Sequence, residues 1–95
     1  WQPTPASGWN DETYFTFRLS QIPEEIKIRI YTIAGRMIKE IVRKSSELNY
    51  DLNKIYWDGK DADGDIIANG TYLYKMLMKS ADRVESITQK LVIVK

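Results

Sequence analysis

The tightest constraint on this chain is the alternation Ile26-Lys27-Ile28-Arg29-Ile30-Tyr31. Three β-branched side chains point one way while Lys27, Arg29 and Tyr31 point the other, which is the period of a half-buried strand. The same period recurs in Tyr14–Leu19, where Phe15, Phe17 and Leu19 share a face. It recurs again in Thr71–Lys79, where Tyr72, Tyr74, Met76 and Met78 oppose Leu73, Lys75, Leu77 and Lys79. Ile55 and Trp57 mark a short strand, and Ser86–Val94 a last one. Turn formers separate these segments. Pro23 cannot donate to a ladder and stops pairing after Leu19. Gly35, in Ala34-Gly35-Arg36, is free to take a positive φ. Asp58–Asp65, Asn69-Gly70 and Ser80–Glu85 supply the remaining turns, and Ser45–Asp51 reads as a polar loop.

One segment is ambiguous. In Met37–Lys44 the apolar residues at 37, 38, 41 and 42 have helical spacing. A segment that follows a strong strand through a tight turn is nevertheless its natural hairpin partner, so it is assigned as a strand. The sum is six or seven short strands, no long helix and no internal repeat. Such a pattern is expected to close as an all-β, two-sheet antiparallel sandwich. At 95 residues the chain makes one domain with a modest core. Residues 1–12, with two prolines and a glycine, are expected to be a linker or lead-in segment, and residues 13–95 the module. Lacking an initiator Met, the chain reads as a piece of a longer polypeptide.

Composition then removes whole classes of chemistry. The chain has no histidine and no cysteine, so it has no disulfide framework, thiol nucleophile, Cys/His zinc site or histidine base. Fourteen basic and thirteen acidic residues, mixed along the chain, leave a net charge of +1, which does not suit nucleic acid. No apolar run reaches the ~20 residues that span a bilayer. No phosphate loop, nucleophile elbow or Ser/His/Asp set occurs, and a thin sandwich rarely offers the desolvated site that a catalytic carboxylate pair needs. No cofactor and no enzymatic activity are expected in this segment.

Three features remain as candidates. Trp57 either fills the core or, together with Tyr72 and Tyr74, forms a sugar-stacking platform. Asp58, Asp61, Asp63 and Asp65 lie within eight residues and could offer oxygen ligands to calcium, or cap their own turns while Gly59 and Gly64 take positive φ. The helix–loop–helix calcium pattern does not fit them, and no metal site is assigned. The last strand, Lys90, Leu91, Val92, Ile93, Val94 and Lys95, is either a closing strand with Leu91 and Ile93 in the core, or a lysine-flanked edge displayed to a partner.

Two motifs carry a resemblance. Ile28-Arg29-Ile30-Tyr31-Thr32-Ile33-Ala34-Gly35-Arg36 resembles the "I-x-I-Y-x-x-x-G-R" hairpin of bacterial immunoglobulin-like modules. Ile55-Tyr56-Trp57-Asp58-Gly59-Lys60-Asp61, then Gly64, then Asn69-Gly70-Thr71-Tyr72-Leu73-Tyr74, resembles their tryptophan–aspartate–glycine stretch. These belong to the FlgD-type Ig-like domain and to the similar carboxy-terminal sorting domains of the type IX secretion system. The resemblance implies an Ig-like antiparallel β-sandwich that is not itself catalytic. It implies a carboxy-terminal module of a secreted bacterial protein, carried through the periplasm and outer membrane to the cell surface or beyond. It also implies recognition by the translocation machinery or a sortase, with Lys90–Lys95 carrying much of it, and contact with a neighbouring domain of the parent chain. Parents of such modules include gingipain-like cysteine proteases and the sortase itself. In place of the Asn-Pro pair often seen before the first strand, this chain has Trp9-Asn10-Asp11. The alternatives are a structural accessory module of an extracellular hydrolase or flagellar-hook scaffold, and a carbohydrate-binding module.

Overall fold

The computed structural model describes residues 2–3, 6–9 and 12–94. Among these residues eight strands follow one another: β1 (Gln2–Pro3), β2 (Ala6–Trp9), β3 (Glu12–Leu19), β4 (Glu25–Thr32), β5 (Met37–Lys44), β6 (Asp51–Trp57), β7 (Gly70–Lys79) and β8 (Val84–Val94). A single 3-10 turn, Ser45–Glu47, is the one helical piece among the described residues, and none of their helices is long and apolar enough to cross a membrane.

The strands form two layers. The larger runs β2-β8-β7-β4-β5, and the smaller pairs β6 with β3, whose other edge takes β1 and the end of β2. Cross-strand rows tie sequence to layer: Ile28 lies opposite Met76, which lies opposite Ile87, and Ile30 opposite Tyr74, opposite Gln89. Phe15, Phe17, Leu19, Ile55 and Trp57 of the smaller layer pack against Ile26, Ile28, Ile30, Tyr74, Met76 and Leu91 of the larger, all 5% exposed or less. The Phe15 ring stands edge-on to Tyr74 across the layers, centroids 5.0 Å apart. The sandwich and its period-2 core are thus as the alternation predicts.

The ambiguous segment is a strand with a local irregularity. Its register against β4 shifts between Ile30 and Tyr31, so that Ile30 pairs with Lys39, Tyr31 with Met37, and Ile38 is the extra residue. A β-bulge of this kind re-aims side chains. It buries both Ile38 and Ile41, three apart, and produces helix-like spacing in an extended chain.

Two placements differ from the sequence expectation. β6 starts four residues before Ile55, because the inward position there is a polar residue, Asn53. Asn53 is 3% exposed and fully bonded: its Oδ1 accepts from the Asn49 N–H at 2.7 Å, and its amide donates to the Asn49 and Asp51 carbonyls. These bonds hold the chain as it turns through Asp51, whose φ of 70° lies in the left-handed region that Asp tolerates better than most residues. Second, the expected lead-in supplies β1 and β2. β2 meets β3 antiparallel (Gly8↔Thr13, Trp9↔Glu12) and β8 parallel (Ala6↔Leu91 to Trp9↔Val94). Among the described strands this parallel pair is the exception, the others pairing antiparallel. It joins the two layers along one side, while β5 and β6 are the edge strands of the other.

Candidate recognition strand and the acidic turn

β8 alternates inward and outward along its whole length. Leu91 and Ile93 are buried, at 0% and 3% exposure, while Lys90, Val92 and Val94 face solvent. Lys95 lies outside the described residues. The closing-strand reading thus matches the inward residues, Leu91 and Ile93. The inward residues close the core opposite Tyr72 and Gly70 of β7, and the outward ones form an exposed row.

The backbone edge is divided. From Leu91 to Ile93 the strand is paired on both sides, to β7 and to β2, and Val94 pairs with β2 alone. From Val84 to Lys90, no described strand pairs with the side away from β7. In this arrangement, what Leu91–Val94 present to a partner is a row of side chains rather than a free ladder.

Trp57 is a core residue. It is 2% exposed, and its indole N–H donates to the Lys60 carbonyl at 2.9 Å, fastening the acidic turn to the sandwich. Tyr74 is buried and donates its hydroxyl to Gln89, and Tyr72 is half-buried with its hydroxyl on the Ala68 carbonyl. These three rings present no stacking platform, which corrects the carbohydrate reading at those positions.

Two of the four aspartates, Asp58 and Asp61, are occupied by the turn itself. Asp61 Oδ1 accepts from the N–H groups of Asp63 and Asp65, at 2.9 and 3.0 Å, and Asp58 Oδ1 accepts from Lys60 N–H at 3.0 Å. Gly59 and Gly64 take φ values of 76° and 86°, which a side chain would strain. Among the described residues, no three carboxylates lie close enough to share a metal ion. The turn has a packing role that the sequence did not disclose: the Ala62 N–H donates to the Ile38 carbonyl at 2.9 Å, so the loop lies over the outer edge of β5.

No protein-family model matches the chain, and a search of curated proteins finds no similar one. Solved structures do resemble it. FlgD from P. aeruginosa superposes with a TM-score of 0.73 at 20% identity, covering 93% of this chain and 68% of FlgD. Dimeric latent PorU from Porphyromonas gingivalis superposes with a TM-score of 0.72 at 22% identity, covering 98% of this chain and 9% of PorU. At such identities the likeness carries the fold: this chain is an Ig-like β-sandwich of the kind found within both.

Proposed function

We propose that this Ig-like module is a non-catalytic recognition domain, the carboxy-terminal sorting signal by which a type IX secretion apparatus exports its parent protein to the cell surface. The observation that carries the reading is the two-sided character of β8. Its buried residues lock it into the core, and its exposed Lys90, Val92 and Val94 form one row on the outer face. The two family-like motifs support it, since they occupy the β4–β5 hairpin and the β6-turn-β7 connection of a fold shared with FlgD and PorU. The partner is then a protein of the translocation machinery or a sortase, and the parent supplies any catalytic activity. A neighbouring domain of the parent is the second expected contact.

The test is a fusion of residues 1–95 to the carboxy end of a periplasmic reporter, in a host that has the secretion system. Reporter at the cell surface or in the medium supports the reading. Reporter held in the periplasm, with the module folded, overturns it in favour of an accessory module of an extracellular enzyme or hook scaffold.

A further inference from the structure

The outer face of the larger layer, formed by β5, β4, β7 and β8, carries a charge unlike that of the whole chain. The ladder registers place Lys27, Arg29, Lys44, Lys75, Lys79 and Lys90 on it, against only Glu25 and Glu40. Both carboxylates are already engaged: Glu40 accepts from Arg29 at 2.7 Å and Glu25 from Lys44 at 3.2 Å. Among the described residues, Lys27, Lys75, Lys79 and Lys90 have no ion-pair partner. The chain's net charge of +1 hides this, because the acids are concentrated elsewhere, most densely in the Asp58–Asp65 turn.

The cations are interleaved with aliphatic side chains. Lys27 lies between Val42 and Leu77, Lys90 opposite Leu73, and Lys79 opposite Val84. At the end of the face where β4 and β8 begin and β7 ends is a recess of about 310 Å³ lined by Glu25, Lys27, Arg29, Leu77, Lys79 and Val84. The positive potential in it is felt by Glu25, whose carboxyl is held below its ordinary value first by the Lys44 hydrogen bond and further by the charges of Lys44, Lys27 and Lys79.

We infer that this face docks an acidic protein surface whose centre is aliphatic, with a partner carboxylate seated between Lys27 and Lys79. The proposal does not depend on how the module is exported. Charge complementarity selects an anionic partner, since lysines flanking an apolar patch steer encounter and set register. The interleaved aliphatics select a protein. A polyanionic polysaccharide or nucleic acid has no apolar surface to lay against Leu73, Leu77 and Val84. A membrane surface is bound by apolar side chains that insert into it. Here the leucines stand on a flat pleated face beside longer lysines, whose stems extend the apolar area while their heads reach the rim. At strand spacings the four strands cover roughly 400 Å², about half of what a standard interface uses per partner, so the complex is transient and salt-sensitive.

The experiment titrates the folded protein, followed by amide chemical shifts, with a short peptide that alternates glutamate with leucine. Polyglutamate, dextran sulfate and phosphatidylglycerol vesicles are the comparison probes. The peptide is expected to move β4, β7 and β8 resonances and to bind about tenfold tighter than polyglutamate of equal length. The Lys27→Glu/Lys75→Glu variant should weaken it at least about tenfold, and the neutral Lys27→Gln/Lys75→Gln variant by less. Leu77→Gln should remove the advantage over polyglutamate, while Lys54→Glu on the other layer should change nothing. Equal or tighter binding of dextran sulfate or vesicles overturns the proposal. Shifts confined to other strands overturn it as well, and so does self-association of the protein through this face.

Discussion

The two sides of this sandwich treat their edges differently. On one side β2 ladders onto both β3 and β8, so the two layers are continuous through backbone hydrogen bonds. On the other, β5 and β6 are each paired on one edge only among the described strands, and a cleft of about 310 Å³ lies between them, lined by Lys39–Arg43 and Tyr56–Asp58. Exposed strand edges invite pairing with other chains, and proteins guard them with bulges, charges and covering loops. All three devices are present here. Ile38 forms the bulge, Arg43 donates its guanidinium to the Val42 carbonyl at 3.0 Å, and the acidic loop bonds the Ile38 carbonyl through Ala62. One side is closed by a strand and the other by side chains and a loop, so the first should fail by losing protection and the second by gaining partners.

The largest effect is expected from Trp57→Ala on the guarded side. It deletes a buried ring and the hydrogen bond that anchors the loop at Lys60. Urea unfolding should show a loss of about 3–5 kcal/mol. A loss below about 1 kcal/mol would mean that the loop is held by other means.

Removing residues 1–9 probes the closed side. Four ladder positions of β8 lose their parallel partner, and amide exchange at Leu91–Val94 should accelerate by roughly tenfold or more while β4 stays protected. Unchanged protection there would show that β2 contributes nothing to closure.

A smaller effect is expected from Ala62→Pro. It removes one N–H donor from the β5 edge, costing about 1 kcal/mol and leaving the Ile38 carbonyl open to a neighbour. Sedimentation should then detect weak dimers that the parent protein does not form; monomers throughout would shift the guarding role to Arg43 and the bulge.

The smallest effect is electrostatic. Glu25 bonds Lys44 across the β4–β5 pair and has its carboxyl pulled below the ordinary value of 4.5 chiefly by that bond, against a smaller opposing contribution from burial. A group whose folded pKa is depressed contributes stability above its unfolded pKa and loses it as pH falls through the folded one. The contribution should therefore be full at neutral pH and fade below about pH 4.5. Lys44→Ala should flatten that dependence, as read by thermal melting across the acid range. Identical acid profiles would show the pair to be inert.

Much of this arrangement is legible in the residues. The isoleucines of β4, the aromatics of β3 and the alternating tyrosines and methionines of β7 announce their strands because each inward position is apolar. Legibility fails where an inward position is not. β6 begins at Asp51 rather than near Ile55 because Asn53 faces the core and satisfies itself through three local hydrogen bonds, a pattern that period-2 hydrophobicity does not register. β5 looks helical because a bulge changes its period. β2 is invisible because Ala6-Ser7-Gly8 shows no alternation of apolar and polar residues, yet it pairs with both β3 and β8. In the candidate site, the burial of Leu91 and Ile93 follows from alternation, whereas the occupied edge beyond them does not, since it depends on a strand more than eighty residues away. The basic face is hidden for the same reason: its lysines come from separate strands and meet only through register.

The central proposal is that an export machinery would read the exposed row of β8 rather than its buried one. The direct measurement places Lys90→Glu, Val92→Glu and Val94→Glu together in the reporter fusion, with amide spectra establishing that the core around Leu91 and Ile93 is intact. The account predicts that the folded variant stays in the periplasm while the parent module carries its reporter to the surface. Export of the variant at the parent's level would contradict it.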